Sequence, residues 1–165
     1  MNTWVMILGT TGFFLCLMLM EFTSLGVRGI RRYDPGFGLL DMRLRYDAKT
    51  VYQVFDQIGR AGQKVYKYYL FLDYCFIACF LIVMLALSFR VTADPVQRNI
   101  LIVLASARAL CDILENTLLM VLINNYPQQN LLLATVCSWA TTSKFIFMFL
   151  WVGMLILAGI MNFIK

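Results

Sequence analysis

The sequence contains no histidine, and charged residues make up only 14% of its 165 residues. Without imidazole groups, the chain alone cannot form haem sites with paired histidine ligands, His-ligated copper sites or most catalytic zinc sites. Its five cysteines all fall in apolar stretches, where a thiol usually acts as a small buried hydrophobic group rather than a disulfide partner. The sequence therefore predicts no metal site and no other cofactor.

The hydrophobic content is correspondingly high. Hydrophobic residues make up 61% of the chain, whereas soluble domains usually contain about 45–50%. A soluble fold of this length could not bury so many large apolar side chains, so lipid has to cover much of the surface. We therefore predict an integral membrane protein in which residues 1–165 form a single domain.

Four apolar stretches are each long enough to cross the ~30 Å hydrocarbon core of a bilayer as a helix. They cover about residues 4–27, 66–89, 96–124 and 130–163. The predicted fold class is all-α, a bundle of four transmembrane helices. Between the first two helices, Asp47 precedes a short stretch with apolar residues at helical spacing. We expect this stretch to form an amphipathic helix that lies along the lipid head groups, and Gly59 and Gly62 to permit a bend after it.

The basic residues are unevenly distributed, since nine of the 14 lysines and arginines lie between Arg28 and Lys67. The positive-inside rule places this loop, residues 28–65, in the cytoplasm or the mitochondrial matrix and both termini on the outer side, in the intermembrane space or periplasm. No aromatic-plus-basic signature of nucleic-acid binding accompanies the positive charge. The sequence therefore predicts a membrane orientation and no nucleic-acid partner.

Part of this basic loop is predicted to bind the head groups of anionic phospholipid, which is cardiolipin if the membrane is mitochondrial. The alternative is that these residues only orient the protein and bind no particular lipid. The candidate head-group-binding residues are Arg31, Arg32, Arg43, Arg45, Arg60 and Lys64.

Six ionisable residues fall within the apolar stretches, where each costs roughly 2.5–3.5 kcal/mol to insert. They are Glu21, Asp73, Arg108, Asp112, Glu115 and Lys144, and Asn116 adjoins them. Arg108, Asp112 and Glu115 are spaced i, i+4 and i+7, so they share one helix face. We expect all seven residues to meet as a buried polar cluster in the middle and inner half of the bundle.

The buried polar cluster has two interpretations. In the first, the charges pair with one another and determine which helices pack together. In the second, the surplus of four acids over two bases serves a function, because at least one carboxylate is then protonated or bound to water. Such a carboxylate could relay protons or hold a lipid head group.

These residues belong to a longer pattern of Leu40-Asp41-x-Arg43-x-x-Tyr46, Gly59-x-x-Gly62, Tyr69-x-x-x-Asp73, Asp112-x-x-Glu115-Asn116 and Thr142-x-Lys144. The pattern covers about residues 39–160 and resembles a family of small four-helix integral membrane proteins from bacteria and some single-celled eukaryotes. The resemblance implies the fold and the grouping of the buried polar residues from Asp73 to Lys144. It implies no catalytic role.

No nucleophile–base pair and no phosphate-binding loop accompanies the cluster, so we predict no catalytic residue. The function expected is that of a non-catalytic accessory subunit in a large energy-transducing membrane complex, such as a respiratory-chain complex or ATP synthase. It would pack against other membrane subunits, bind lipid and support assembly in the mitochondrial inner membrane, or in a bacterial plasma membrane as the alternative. The competing hypothesis is a stand-alone membrane enzyme or carrier that uses the buried carboxylates as a proton or head-group site.

Overall fold

The computed structural model describes residues 3–36 and 38–164, with side chains described as far as residue 162. Within these ranges the structure is all-helical. It consists of α1 (Thr3–Phe22), α2 (Val27–Ile30), a 3-10 turn (Leu40–Met42), α3 (Ala48–Val91), α4 (Pro95–Asn125) and α5 (Leu131–Ile164).

Side-chain caps determine where two of the long helices begin. The Asp47 carboxylate accepts a hydrogen bond from the backbone N–H of Thr50 at 2.8 Å, which satisfies a donor in the first turn of α3. This bond and a second one from the Thr50 hydroxyl hold the pKa of Asp47 below its ordinary value. Asp94 caps α4 in the same way through the N–H of Val96, and Pro95 occupies the first turn, where its missing N–H has no cost.

Helix α3 is bent at Gly59, which has a φ of 59° and a ψ of −178°. Only glycine adopts this conformation without strain. The bend divides α3 into a short segment, residues 48–58, and a long segment, residues 60–91. A break at this glycine agrees with the bend expected from the sequence.

The short segment of α3 is amphipathic, as its spacing indicates. Its apolar residues Val51, Phe55 and Ile58 are buried in a core that also contains Leu119 and Leu122 of α4. The protein itself therefore covers this apolar face. A position along the lipid head groups stays a prediction.

The long helices pack as a bundle in which α3 is central. Helix α1 packs against α3, α4 packs against both α3 and α5, and no extensive contact joins α1 to α5 among the described residues. At one end of the bundle, the Tyr126 hydroxyl donates to Asp56 Oδ1 at 3.0 Å. At the other end, the Asn162 amide donates to the Val91 carbonyl. Helices α3 and α5 therefore run in the same direction, and α4 runs in the opposite one.

Part of the connection between α2 and α3 packs into the bundle. Its last part, the 38–46 segment, is fastened to α5 by hydrogen bonds. The Ser138 hydroxyl donates to the Tyr46 carbonyl at 2.6 Å and accepts from the Tyr46 N–H at 3.1 Å. The Thr142 hydroxyl donates to the Leu44 carbonyl at 2.8 Å. These bonds bring the 38–46 segment beside the polar residues of the long helices.

In the part of the chain that the structure describes, three helical stretches are long and apolar enough to cross a membrane: Thr3–Ile30, Ala48–Val91 and Leu131–Asn162. Large apolar side chains are exposed along the bundle, among them Trp4, Leu8 and Phe14 on α1. The prediction of an all-α integral membrane protein is thereby confirmed. Helix α4 is not among the three stretches because it carries several charged residues.

Candidate functional site

Four charged side chains from α4 and α5 form a buried ion-pair network. Lys144 Nζ lies 2.8 Å from Asp112 Oδ1 and 2.6 Å from Glu115 Oε2. Arg108 Nη2 lies 2.5 Å from Asp112 Oδ2. The ion-pair network therefore contains two cations and two carboxylates, and its formal charges cancel.

On one side the ion-pair network is completed by hydrogen bonds from uncharged groups. The Thr141 hydroxyl donates to Glu115 Oε1 at 2.6 Å. The Tyr46 hydroxyl lies 3.1 Å from Thr141 Oγ1 and donates to Cys137 Sγ at 3.3 Å. Both oxygens of Glu115 thus have partners, since Oε2 faces Lys144. This side fastens α4, α5 and the 38–46 segment to one another.

On its other side the ion-pair network borders a cavity of about 230 Å³. Its walls come from α1, the 38–46 segment, α3, α4 and α5, and part of the lining is apolar, including Met20, Phe76, Phe145 and Met148. The cavity lies between α1 and α5, which have no extensive contact among the described residues. Charged and apolar surfaces therefore face each other across one space inside the bundle.

Two buried carboxylates outside the ion-pair network also line this cavity. Asp41 is 3% exposed, and its Oδ2 accepts a hydrogen bond from the Tyr69 hydroxyl at 2.9 Å while Oδ1 has no partner. Asp73 is 4% exposed, and its Oδ2 accepts from the Asn116 amide at 2.6 Å. Burial raises the pKa of Asp41, although the charge of Lys144 and the Tyr69 hydrogen bond act in the opposite direction.

Arg108 has hydrogen-bonding capacity that the protein does not use. Its side chain is buried, at 6% exposure, and its guanidinium group lies 4.5 Å from the centroid of the Phe80 ring. Nη2 contacts Asp112, but Nε and Nη1 have no hydrogen-bond partner. A buried donor without a partner costs about 1–3 kcal/mol, so the N–H groups on these two nitrogens are available to a polar molecule in the cavity.

Of the seven residues that the sequence assigns to the polar cluster, six lie together and buried: Asp73, Arg108, Asp112, Glu115, Asn116 and Lys144. Glu21 differs. It stands near the end of α1, where its side chain is exposed and also lines the cavity. Glu21 therefore lies at the edge of the cavity. In the described part of the chain it forms no ion pair.

Four further residues hydrogen-bond in or beside the polar cluster without having been predicted there: Asp41, Tyr46, Tyr69 and Thr141. Asp41 and Tyr46 were expected in a surface loop, and nothing in their local sequence indicates that this loop enters the bundle. The only available signal was the motif pattern, which includes Asp41, Tyr46 and Tyr69 alongside the buried charges.

The candidate lipid-binding residues of the basic loop are not among the described residues that line the cavity. Five of them are exposed, namely Arg31, Arg32, Arg45, Arg60 and Lys64. Arg43 is half-buried and donates to the Gly38 carbonyl at 3.4 Å. The Arg45 guanidinium lies 5.1 Å from the ring centroid of the exposed Trp139. Anionic lipid binding at these residues stays a prediction.

Comparison of the chain with protein-family models, curated proteins and solved structures finds no match. The resemblance to a family of four-helix membrane proteins therefore stays a prediction.

Proposed function

We propose that this protein binds the polar head of a membrane amphiphile in the cavity between α1 and α5. The observation that carries the proposal is Arg108, a buried cation that lines this cavity and has two nitrogens without a hydrogen-bond partner among the described residues. This is the head-group alternative among the functions expected from the sequence. It requires no catalytic step.

The cavity has both charged and apolar lining residues, which favours an amphiphile over other ligands. A hydrocarbon would leave the Arg108 donors unpaired, and a small water-soluble molecule would leave the apolar wall around Phe145 and Met148 uncovered. An amphiphile satisfies both surfaces. Because no extensive contact joins α1 to α5 among the described residues, a chain-bearing ligand can enter from the side while its head reaches the polar residues.

A four-span topology is part of this proposal. Helix α4 has 31 residues and is about 46 Å long, more than the ~30 Å hydrocarbon core. Its charged residues at the centre are buried, and the side chains on its outer face are apolar, including Ile100, Val103, Leu110 and Leu114. Its antiparallel run between α3 and α5 favours a crossing. The basic loop would then lie on the inner side of the membrane.

The topology predicts opposite accessibility for two engineered cysteines, Gly36→Cys and Ala93→Cys, both at exposed positions. In a background without accessible native thiols, we expect an impermeant maleimide added outside sealed cells or mitoplasts to label position 93 but not position 36. Permeabilised membranes should label both positions, which controls for reactivity. Labelling of both positions in sealed membranes would rule out four spans.

Ligand binding predicts that a bulky residue in the cavity expels a co-purified amphiphile. Met148 lines the cavity and its neighbour Phe149 is 60% exposed on the outer face of α5. We expect native mass spectrometry to find a retained amphiphile on the wild-type protein and on Phe149→Trp, and to find it lost from Met148→Trp. Retention by all three proteins, or by none of them, contradicts binding in this cavity.

The accessory-subunit function is a second proposal, favoured by the fully paired side of the ion-pair network. There Glu115, Lys144 and Thr141 act in helix packing, which is the role expected of such a subunit. One experiment distinguishes the accessory subunit from the amphiphile-binding protein. The tagged protein is purified from its native membrane, and the co-purifying proteins are identified. Stoichiometric membrane partners support the subunit, in a respiratory complex or ATP synthase of the mitochondrial inner membrane or in a bacterial membrane complex. A monodisperse protein with bound lipid supports the binding protein.

A further inference from the structure

The charge balance of the cavity indicates which head group it accepts. The ion-pair network is neutral by itself, since Arg108 and Lys144 offset Asp112 and Glu115. The cavity lining contains further carboxylates, and in the described residues none of these lies within ion-pair distance of a cation. They are Asp41, Asp73 and Glu21. The cavity therefore has an excess of acidic groups.

The unpaired atoms indicate that the head group needs both donors and acceptors. Asp41 Oδ1 is buried and lacks a hydrogen-bond donor. Arg108 Nε and Nη1 are buried and lack acceptors. A ligand that satisfies all three atoms carries N–H or O–H donors at one end of its head and an oxygen acceptor at the other.

We propose that the cavity selects an amphiphile whose head combines a primary ammonium group with an oxyanion, as in an ethanolamine phospholipid. This inference rests on the proposed function. The ammonium group donates to Asp41 Oδ1 on the acidic side of the lining, and the phosphate oxygens accept from Arg108. The two groups are joined by a short flexible link, so both can contact polar residues of one cavity.

Other common head groups satisfy only part of this arrangement. A choline head is cationic but has no N–H to donate to Asp41 Oδ1. A glycerol head has hydroxyl donors but no ammonium group, so its phosphate gives it a net negative charge in a cavity whose lining has more acidic than basic groups. Like charges in a poorly hydrated site repel strongly. Preference for the ethanolamine head over both others is therefore the signature of the site.

The test uses purified, delipidated protein in detergent, to which phospholipids with identical acyl chains and ethanolamine, choline or glycerol heads are added in equal amounts. We expect native mass spectrometry to show that the ethanolamine lipid is retained in preference, on the order of tenfold over each of the others. That ratio corresponds to about 1.4 kcal/mol, within the net contribution of one hydrogen bond. Equal retention of all three lipids overturns the inference but leaves the proposed function standing. Retention of none overturns both.

Two further ligands separate the contributions of head and chain. Hexadecylamine has the ammonium group and a chain but no phosphate, and phosphoethanolamine has the whole head but no chain. We expect both to compete weakly against the ethanolamine phospholipid. Competition by hexadecylamine as strong as that by the phospholipid overturns the phosphate contact with Arg108. If phosphoethanolamine competes as strongly as the phospholipid, the cavity is a site for a soluble ligand and the proposal of an amphiphile is wrong.

A matched pair of variants locates the selectivity. Asp41→Asn preserves the size of the side chain and the acceptor for Tyr69, and we expect it to abolish the preference for ethanolamine over choline. Asp56→Asn removes an exposed carboxylate that does not line the cavity, and we expect it to retain the preference. Thermal unfolding of both variants checks that they fold. If Asp41→Asn retains the wild-type preference, the ammonium site is wrong. The lipid competition on the wild-type protein decides the matter if this variant does not fold.

Discussion

Replacement of Lys144 by methionine is expected to lower the free energy of unfolding by about 3–5 kcal/mol. The substitution removes the ammonium group that lies 2.8 Å from Asp112 and 2.6 Å from Glu115, both nearly inaccessible to solvent. Asp112 still has Arg108 as a partner, but Glu115 has only the Thr141 hydroxyl. Equilibrium unfolding in mixed micelles, followed by circular dichroism, measures the loss. Ile156→Ala on the exposed face of α5 is the control and should have a small effect.

The pairing pattern further predicts which second substitution restores stability. Adding Glu115→Gln to Lys144→Met should recover much of the loss, because the remaining charges form the Arg108–Asp112 pair. Adding Asp112→Asn instead should recover little, because Arg108 then loses its carboxylate and Glu115 stays unpaired. Equal recovery by the two second substitutions would contradict the pairing. An unchanged stability in Lys144→Met alone would mean that water reaches the ion-pair network.

Substitution of Gly26 by alanine is expected to be comparably damaging, at about 3 kcal/mol, the upper part of the range for overpacked sites. Gly26 precedes α2 in the tight turn after α1. A Cβ atom there would lie only 1.8 Å from the Met20 carbonyl oxygen and 2.5 Å from its carbonyl carbon. Because these are backbone atoms, no side-chain rotation can relieve the clash, and the end of α1 has to move. The same micelle-unfolding measurement gives the loss.

Gly153 provides the matched control for this substitution. It lies within α5, and a Cβ atom at this position would meet nothing within 4 Å. Alanine there should leave stability unchanged or raise it by up to about 1 kcal/mol, since alanine has the higher helix propensity. If Gly26→Ala and Gly153→Ala have the same effect, the turn after α1 is looser than the structure indicates.

The grouping of charges on α4 was predictable because it depends on local geometry. Arg108, Asp112 and Glu115 share a face through helical periodicity alone, and only depth in the membrane was needed to bring Lys144 near them. The position of Asp41 was not predictable in this way. It depends on hydrogen bonds that join the 38–46 segment to Ser138 and other residues more than 90 positions further along the chain.

The short segment of α3 illustrates a second limit on what the sequence can predict. Its spacing predicts an apolar face, but the pattern is identical whether lipid or protein covers that face. In the structure Val51, Phe55 and Ile58 pack against Leu119 and Leu122. Such a contact depends on the bend at Gly59, whose direction the sequence does not indicate.

The ion pairs between α4 and α5 also have a consequence for the insertion of the helices into the membrane during synthesis. Helix α4 carries three ionised side chains at its centre, each costing roughly 2.5–3.5 kcal/mol in the translocon. Arg108 and Asp112 can pair within α4, but Lys144, the cation that pairs with Glu115, is synthesised later, on α5. If α4 crosses the membrane, we therefore expect it to stay at the translocon until α5 emerges. The two helices would then enter the bilayer together as a hairpin, whereas the apolar α1 could enter by itself during synthesis.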